Sequence, residues 1–304
     1  MAKAHFIVAD APLSEVNVKR WRDGKLTEAK DKVAEETPIA LIYNGVSHAV
    51  MLATPQDLED FALGFSLSEA ILQNKSELYD IEIVVQTNGI ELRLEVASEA
   101  FAKLKERRRN LTGRTGCGLC GAESLEQALR LPELEMPIRE KNDATGLEHS
   151  SAGLQGNIHA ASRASLAMIN AKSIIKAFHS MQKQQILQQA TGATHACAYV
   201  NANGEIQLLR EDVGRHNAMD KLIGALAKQD SNQPSKNSGF VLTSSRASVE
   251  MVQKVALAGH NILAAISAPT GLAIRVAEAY GVTLVGFLRE QHFVIYTHAN
   301  RIKT

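Results

Sequence analysis

Two cysteines, Cys117 and Cys120, stand three residues apart in TGRTGCGLCGAES, residues 112–124, among Gly113, Gly116, Gly118 and Gly121. Ordered glycine gives up the most backbone freedom, so the stretch reads as a mobile loop that exposes two thiols. Such a pair can exchange disulfides, bind a metal, or carry sulfur as a persulfide. Structural zinc normally takes four ligands. The chain has no second CxxC, and only His195 and Cys197, in THAC, offer a complement. A thioredoxin-type site would open a helix just after a strand. Here the basic run KLKERRRNLTGR, residues 103–114, precedes the thiols instead. Its Lys103, Lys105, Arg107, Arg108, Arg109 and Arg114 would favour thiolate, or form only a solvated face.

Three further stretches carry polar side chains where strands meet helices. In LREDVGRHNAMDK, residues 209–221, acids can cap the helix. Arg215 and His216 in its first turn call for an anion there, because the positive end of a helix disfavours cations. In VLTSSRASVEM, residues 241–251, Ser244, Ser245 and Arg246 follow an apolar strand. They suit phosphate, or the serines simply cap a helix. SAPTG, residues 267–271, repeats that arrangement, and three such turns on one sheet would form a common anion-binding rim. In GFLREQH, residues 286–292, Phe287 could stack on a base and Arg289 could meet a phosphate, or the stretch is a plain turn.

The elements that must hold these residues follow from periodicity. Residues 31–54 predict two strands around Asn44-Gly45, residues 56–72 an amphipathic helix, and residues 81–86 and 90–96 two more strands split by Asn88-Gly89. This is a small α+β module, residues 1–110. Residues 111–165 form the CxxC loop and a long polar connection. From 166 to 304 a second domain alternates strands and helices. A helix runs to about 190, stopping at Gly192, and strands follow at 194–200 and 205–210. Then come helix 214–228, strand 240–243, helix 247–258, strand 261–267, helix 271–280, and strands 282–288 and 293–297. The fold class expected is α/β, with a mostly parallel sheet covered on both faces and its ligand at the carboxyl ends of the strands.

Bulk composition narrows the function. Lys plus Arg is 33 and Asp plus Glu is 33, so there is no basic field to argue for nucleic acid. No apolar run reaches membrane-spanning length, and the N-terminus lacks the apolar core of a signal peptide. Three cysteines do not make a disulfide framework, which fits a reducing, cytoplasmic setting.

Taken together, EETPIALIYNG, DFALGFSLSEAIL, RTGCGLCG, TGATHA, EDVGRHNAMDKLIG, TSSRASVEMVQK and LVGFLRE resemble the FdhD family of formate dehydrogenase accessory sulfurtransferases over most of the chain. The resemblance implies that Cys117 and Cys120 take sulfur from a cysteine desulfurase as a persulfide, Cys117 first. They would pass it to the molybdenum (or tungsten) bis-guanine dinucleotide cofactor before that cofactor enters formate dehydrogenase. It also implies a second domain like cytidine deaminase, guanine nucleotide binding for which GDP is a mimic, and a homodimer. No permanently bound metal is expected. The cofactor-binding residues would be Phe287, Leu288, Arg289, Glu290, Gln291 and His292, with Ser244, Ser245, Arg246, Arg215, His216 and His195. The chain departs from the family pattern at Gly192-Ala193-Thr194-His195 and at His292. Zinc deamination is rejected, because Cys197 stands where H-x-E needs its glutamate and no proline precedes the CxxC. A chaperone that only shelters the cofactor is the alternative.

Overall fold

The computed structural model describes residues 10–110, 168–229 and 238–304. Cys117, Cys120, Arg114 and the connection 132–165 lie outside the described residues, as do the side chains of Arg107, Arg108 and Arg109.

The first described element is a hairpin, β1 (Leu13–Arg22) and β2 (Lys25–Ala34), that pairs with no other described strand. Its turn is Asp23-Gly24, both at positive φ, the two-residue geometry that matches strand twist. The sequence reading missed this hairpin, although Asp-Gly between alternating residues signals it. The expected hairpin at 31–54 is β3 (Thr37–Tyr43) and β4 (Val46–Ala53), turned at Asn44-Gly45 with both residues at positive φ. Helix α1 (Leu58–Ser68), strands β5 (Leu78–Gln86) and β6 (Gly89–Val96), and helix α2 (Ser98–Asn110) follow. The turn between β5 and β6 is Thr87-Asn88, with Gly89 already inside β6. A Cβ at Gly89 would lie 2.5 Å from the Pro38 carbonyl oxygen, so β3 approaches β6 there because the residue is glycine. The four strands run in the order β4-β3-β6-β5. Alternate residues Ile39, Leu41 and Tyr43 of β3 and Ile90, Leu92 and Leu94 of β6 face Phe61 and Phe65 of α1 and Leu104 of α2.

Beyond 168, the short strand β7 (Ile169–Asn170) leads into α3 (Ala171–Gln184) and α4 (Ile186–Thr191). These are two helices broken at Gln185 rather than the single helix expected, and Gly192 closes the second in the left-handed conformation. Next come β8 (His195–Asn201), β9 (Ile206–Asp212), α5 (Arg215–Lys228), β10 (Gly239–Thr243), α6 (Val249–Leu257), β11 (Ile262–Ala265), α7 (Gly271–Ala279), β12 (Thr283–Gly286), β13 (Val294–Ile295) and β14 (Ile302–Lys303). The sheet runs β13-β12-β11-β10-β8-β9. It is mixed, not mostly parallel. Only β10, β11 and β12, joined by α6 and α7 as crossovers, pair in parallel. β8 and β9 form a hairpin, β10 runs antiparallel to β8, and β13 returns antiparallel on β12 as a two-residue strand. Both faces are covered. Cys197 and Tyr199 of β8 point to α5 and α6, while Ala196, Ala198 and Val200 point to Phe178 and Met181 of α3.

The first module packs on the second through α1 and α5. A Cβ at Gly64 would lie 1.7 Å from the Asp220 carbonyl oxygen, and one at Gly224 would lie 1.9 Å from the Asp60 carbonyl oxygen. The helices touch backbone to backbone at two glycines. Beside them sits a fully buried ion pair, Lys221 Nζ to Asp212 Oδ2 at 2.7 Å. Lys221 also donates to the Thr54 carbonyl at 2.9 Å, and the Thr54 amide donates to Asp212 at 3.0 Å.

Lys221→Met removes one partner of a buried pair and leaves a carboxylate uncompensated, at a cost of roughly 3–5 kcal/mol. Chemical denaturation checks this, and a loss below about 1 kcal/mol would show that Asp212 does not need the lysine.

Candidate functional site

Thr243, Ala265 and Gly286 end three neighbouring parallel strands at one edge of the sheet. Because β8 runs the other way, its first residue, His195, arrives at the same edge, with Asp212 at the end of β9 as its cross-strand partner. The turns beyond these strands are tied together. The Ile266 amide donates to the Thr243 carbonyl at 3.0 Å, Ser267 to Ser245 at 3.3 Å, Thr270 to Ala247 at 3.0 Å, and Phe287 to Ser267 at 3.2 Å. Residues 244–248, 266–270 and 287–289 therefore form one continuous rim. The residues named from sequence as cofactor contacts, His195, Arg215, His216, Ser244, Ser245, Arg246 and Phe287 to His292, lie on this edge or on the first turn of a helix that starts from it, whereas Lys103 and Lys105 stand on α2 of the first module.

The rim residues differ in what remains available. Ser244 Oγ accepts from the Ala196 amide at 2.9 Å and clasps β10 to β8. Ser245 is buried, its hydroxyl 3.0 Å from Thr243 Oγ1 and donating to the Arg246 carbonyl at 2.9 Å. Neither serine caps α6, whose cap is Ser248. Arg246 is exposed. Thr270 does cap α7, accepting from the Ala273 amide at 3.3 Å.

The LREDVGRHNAMDK stretch divides the same way. Glu211 caps a helix, but α4 rather than α5: its carboxylate accepts from the amides of Leu187 at 3.0 Å and Gln188 at 2.9 Å. Asp212 accepts from the Gly214 amide at 2.8 Å and from Asn217 Nδ2 at 3.0 Å. Asp220 binds Lys254 at 2.8 Å, and Lys254 reaches Glu69 of the first module, also at 2.8 Å. Arg215 and His216 remain. Arg215 Nε and His216 Nε2 are buried and have no hydrogen-bond partner, although Glu250 stands 4.0 Å from His216. A buried polar atom without a partner is costly, and a bound group that supplies one would remove the cost. Burial, then the charges of Arg215 and Lys254, push the His216 imidazole down to about 4, so it is neutral near pH 7. Burial and Arg215 also lower His195. Glu250 and Lys254 escaped the sequence reading, because an acid in the first turn of a helix and a lysine in its last turn look like ordinary dipole partners.

The last piece of the rim is 287–292. Phe287 is 42% exposed and held at φ 52°, a left-handed conformation that costs a bulky residue about 1–2 kcal/mol. Gly286 permits it, since a Cβ there would lie 2.7 Å from Pro269 Cδ. Leu288 is fully buried and anchors the turn. Arg289 Nη1 donates to the carbonyls of Ile266 at 2.6 Å and Leu288 at 2.9 Å, so its guanidinium buttresses the rim while staying exposed. The Glu290 carbonyl meets His179 Nε2 of α3 at 3.3 Å. Glu290, Gln291 and His292 are exposed. Cys197 takes no part: it is fully buried, its thiol pushed up to about 12 by burial, with Thr243 Oγ1 at 3.5 Å.

The architecture is thus a mixed α/β domain with a polar rim at its strand ends, joined to a small α+β module. The FdhD/NarQ family profile matches residues 34–147 and 139–303, and the chain belongs to that family. Among its relatives are proteins named sulfur carrier protein FdhD. That of Cupriavidus necator is 53% identical over 94% of this chain and 88% of its own, and that of Bordetella petrii is 48% identical over 95% and 94%. The fold is also that of a crystal structure from Desulfotalea psychrophila, described as a formate dehydrogenase accessory protein. Its TM-score is 0.66 at 24% identity, covering 96% of this chain and 99% of that one.

His216 ties this edge to stability. In the unfolded chain its pKa is near 6.5. The native value is lower, so native protein loses stability as pH falls from about 6.5 towards 4, and nothing above that window. His216→Gln should reduce the stability lost between pH 7 and 5 by roughly 2 kcal/mol, measured by urea unfolding at the two pH values. Equal losses in both proteins would show that the imidazole is solvated.

Proposed function

We propose that this protein is a sulfur carrier that activates formate dehydrogenase by sulfurating its cofactor, a molybdenum (or tungsten) bis-guanine dinucleotide, held as substrate at the rim. Relatives at up to 53% identity carry the name sulfur carrier protein. The observation that carries the reading is the pair of buried, unpartnered nitrogens, Arg215 Nε and His216 Nε2, at a rim of three helix starts. A dinucleotide with several phosphates supplies acceptors for both, and the N-termini of α5, α6 and α7 favour its charge. The exposed ring of Phe287 is available to a base, and Arg246 and Arg289 add positive charge.

Sulfur chemistry falls to Cys117 and Cys120. A cysteine desulfurase delivers a sulfane sulfur to Cys117, leaving Cys117–S–SH. The Cys120 thiolate then attacks the inner sulfur, closing a Cys117–Cys120 disulfide and releasing the outer sulfur as hydrosulfide, which the cofactor's metal centre takes as a ligand, and a cellular dithiol reductant reopens the disulfide for the next round. Neither step requires an outside oxidant, because the sulfane sulfur arrives already at that oxidation level. Lys103 and Lys105 on α2 precede the loop and favour its thiolate form. A cytoplasmic setting suits reduced thiols. A pure cofactor-sheltering chaperone is separated from this reading by Cys117→Ala, which would leave a chaperone's client fully active.

Mass spectrometry after incubation with a cysteine desulfurase and cysteine should find one sulfur atom added at Cys117 and removed by reductant. Loading of Cys117→Ala to the wild-type extent would shift the role to Cys120. Calorimetric titration with GDP checks the rim. Arg289→Ala should weaken binding about ten- to a hundredfold, through loss of its charge and of the carbonyl contacts that fix the turn. Full binding by that variant would move the nucleotide elsewhere.

A further inference from the structure

The starts of α5 and α6 meet at His216 and Glu250, and polar atoms gather there that the fold does not use. Arg215 Nε, His216 Nε2 and Ser248 Oγ are all buried and have no hydrogen-bond partner among the described residues. Ser248 is 6% exposed and stands at the N-cap of α6, yet its hydroxyl caps no amide. Glu250 follows two residues on, its Oε2 4.0 Å from His216 Nε2, too long for a hydrogen bond. Burial pushes the Glu250 carboxyl up, but Ser248, its own amide, His216 and Arg215 together bring it below the usual carboxylate range. Glu250 is therefore an anion near pH 7 and can only accept. Lys254, whose charge also reaches His216, is committed to Ser68, Glu69 and Asp220 at 2.8 Å each. The side chains of His216 and Glu250 are 30% and 27% exposed, so the cluster opens to solvent.

The inventory of groups decides what answers it. Arg215 Nε always donates, and neutral His216 donates from Nε2 when its proton sits there. The two oxygens of Glu250 accept. A phosphate alone would answer the nitrogens but set its charge against Glu250. Both kinds of group are answered by a rigid edge that carries acceptors beside donors. Guanine has such an edge: O6 and N7 accept, while N1–H and the 2-amino group donate, one to each carboxylate oxygen. Adenine offers a single donor group, its 6-amino group, and would leave a carboxylate oxygen unanswered. The 4.0 Å between the nitrogen and the carboxylate suits neighbouring atoms of one ring, such as a carbonyl oxygen beside an N–H.

We propose that Arg215, His216, Ser248 and Glu250 form a subsite for a 2-amino-4-oxopyrimidine edge, with Glu250 as the residue that selects it. The ring N–H and the amino group donate to Glu250. Arg215 and His216 donate to the carbonyl oxygen, and Ser248 Oγ serves beside them as donor or acceptor. This rests on the sulfur-carrier reading above and names the part of the dinucleotide that the two nitrogens meet. That cofactor carries the edge in its guanines and in its pterins. Having two guanines, it can also place a base against Phe287, so the two contacts do not compete.

Calorimetric titration of the full chain tests this with nucleoside diphosphates that share ribose and phosphates and differ only in the base. Wild type should bind GDP about tenfold tighter than inosine diphosphate, which lacks only the amino group, and about a hundredfold tighter than ADP. Glu250→Gln should weaken GDP about tenfold and leave inosine diphosphate close to its wild-type affinity, which abolishes the preference. It should also gain affinity for xanthosine diphosphate, whose carbonyl replaces the amino group and accepts from the new amide. A misfolded variant would lose all of these ligands together and gain none. Neopterin, which has the edge without guanine, separates the two sources. Binding that Glu250→Gln removes shows that the pocket takes the pterin; no binding at millimolar concentration, with the GDP preference intact, restricts the pocket to guanine. Equal wild-type affinity for GDP, inosine diphosphate and ADP would overturn the proposal and leave a rim that holds only phosphate and ribose. So would a GDP preference that survives Glu250→Gln. If wild type binds none of the diphosphates, nucleotide binding at the rim fails, and the subsite with it.

Discussion

A carboxylate buried without water must have its oxygens answered by donors, and Asp212 meets that constraint by drawing on three parts of the chain at once. Its partners are the Lys221 ammonium one turn and a half into α5, the Thr54 amide just past β4, and Gly214 and Asn217 around the start of α5. The consequence is positional. The end of β9, the start of α5 and the exit of β4 cannot shift separately without leaving a buried charge short of a donor. Arg215 and His216 lie between two of those anchored residues, and this is how their side chains come to be held at the sheet edge with nitrogens that the fold leaves unanswered.

That division of labour runs along the whole rim. Residues that look like ligand contacts in the sequence, such as Ser244, Ser245 and Glu211, are used to lash turns and strands together. The rigidity they produce is what keeps the remaining groups preorganised. Phe287 shows the same logic in backbone form: a strained residue persists because Leu288 beneath it and Gly286 before it leave the turn no other path.

Much of the fold was legible in the sequence because its signals are local. Asn44-Gly45 turned the hairpin expected of it, Gly192 and Gly259 stopped their helices, and alternating strands and helices from 194 onward matched the elements found. What failed was non-local. Strand direction depends on which strands become neighbours, so β10 lying against β8 made the sheet mixed where periodicity suggested parallel. The first hairpin was overlooked because its strands are rich in charge and almost wholly unburied, so the Asp23-Gly24 turn was its main signal. At the candidate site, the convergence of His195, Arg215, Ser244 and Phe287 on one edge could be anticipated from strand ends. Which of their atoms would be consumed by the fold could not, since that depends on partners such as Ala196 and Ile266 that carry no signal of their own.

The glycine contact between α1 and α5 has a mechanical side. Most helix pairs are separated by a layer of side chains that can change rotamer and so absorb small displacements. Between Gly64 and Gly224 there is no such layer, because backbone meets backbone. Sliding either helix would drive an α-carbon into a carbonyl, and rotation about the point of contact would pull on the Asp60–Arg210, Glu69–Lys254 and Thr54–Asp212 links around it. The joint between the modules is therefore stiff to compression and shear. A displacement of the first module is passed to α5, and so to Arg215 and His216 at the rim, with little of it lost in side-chain rearrangement.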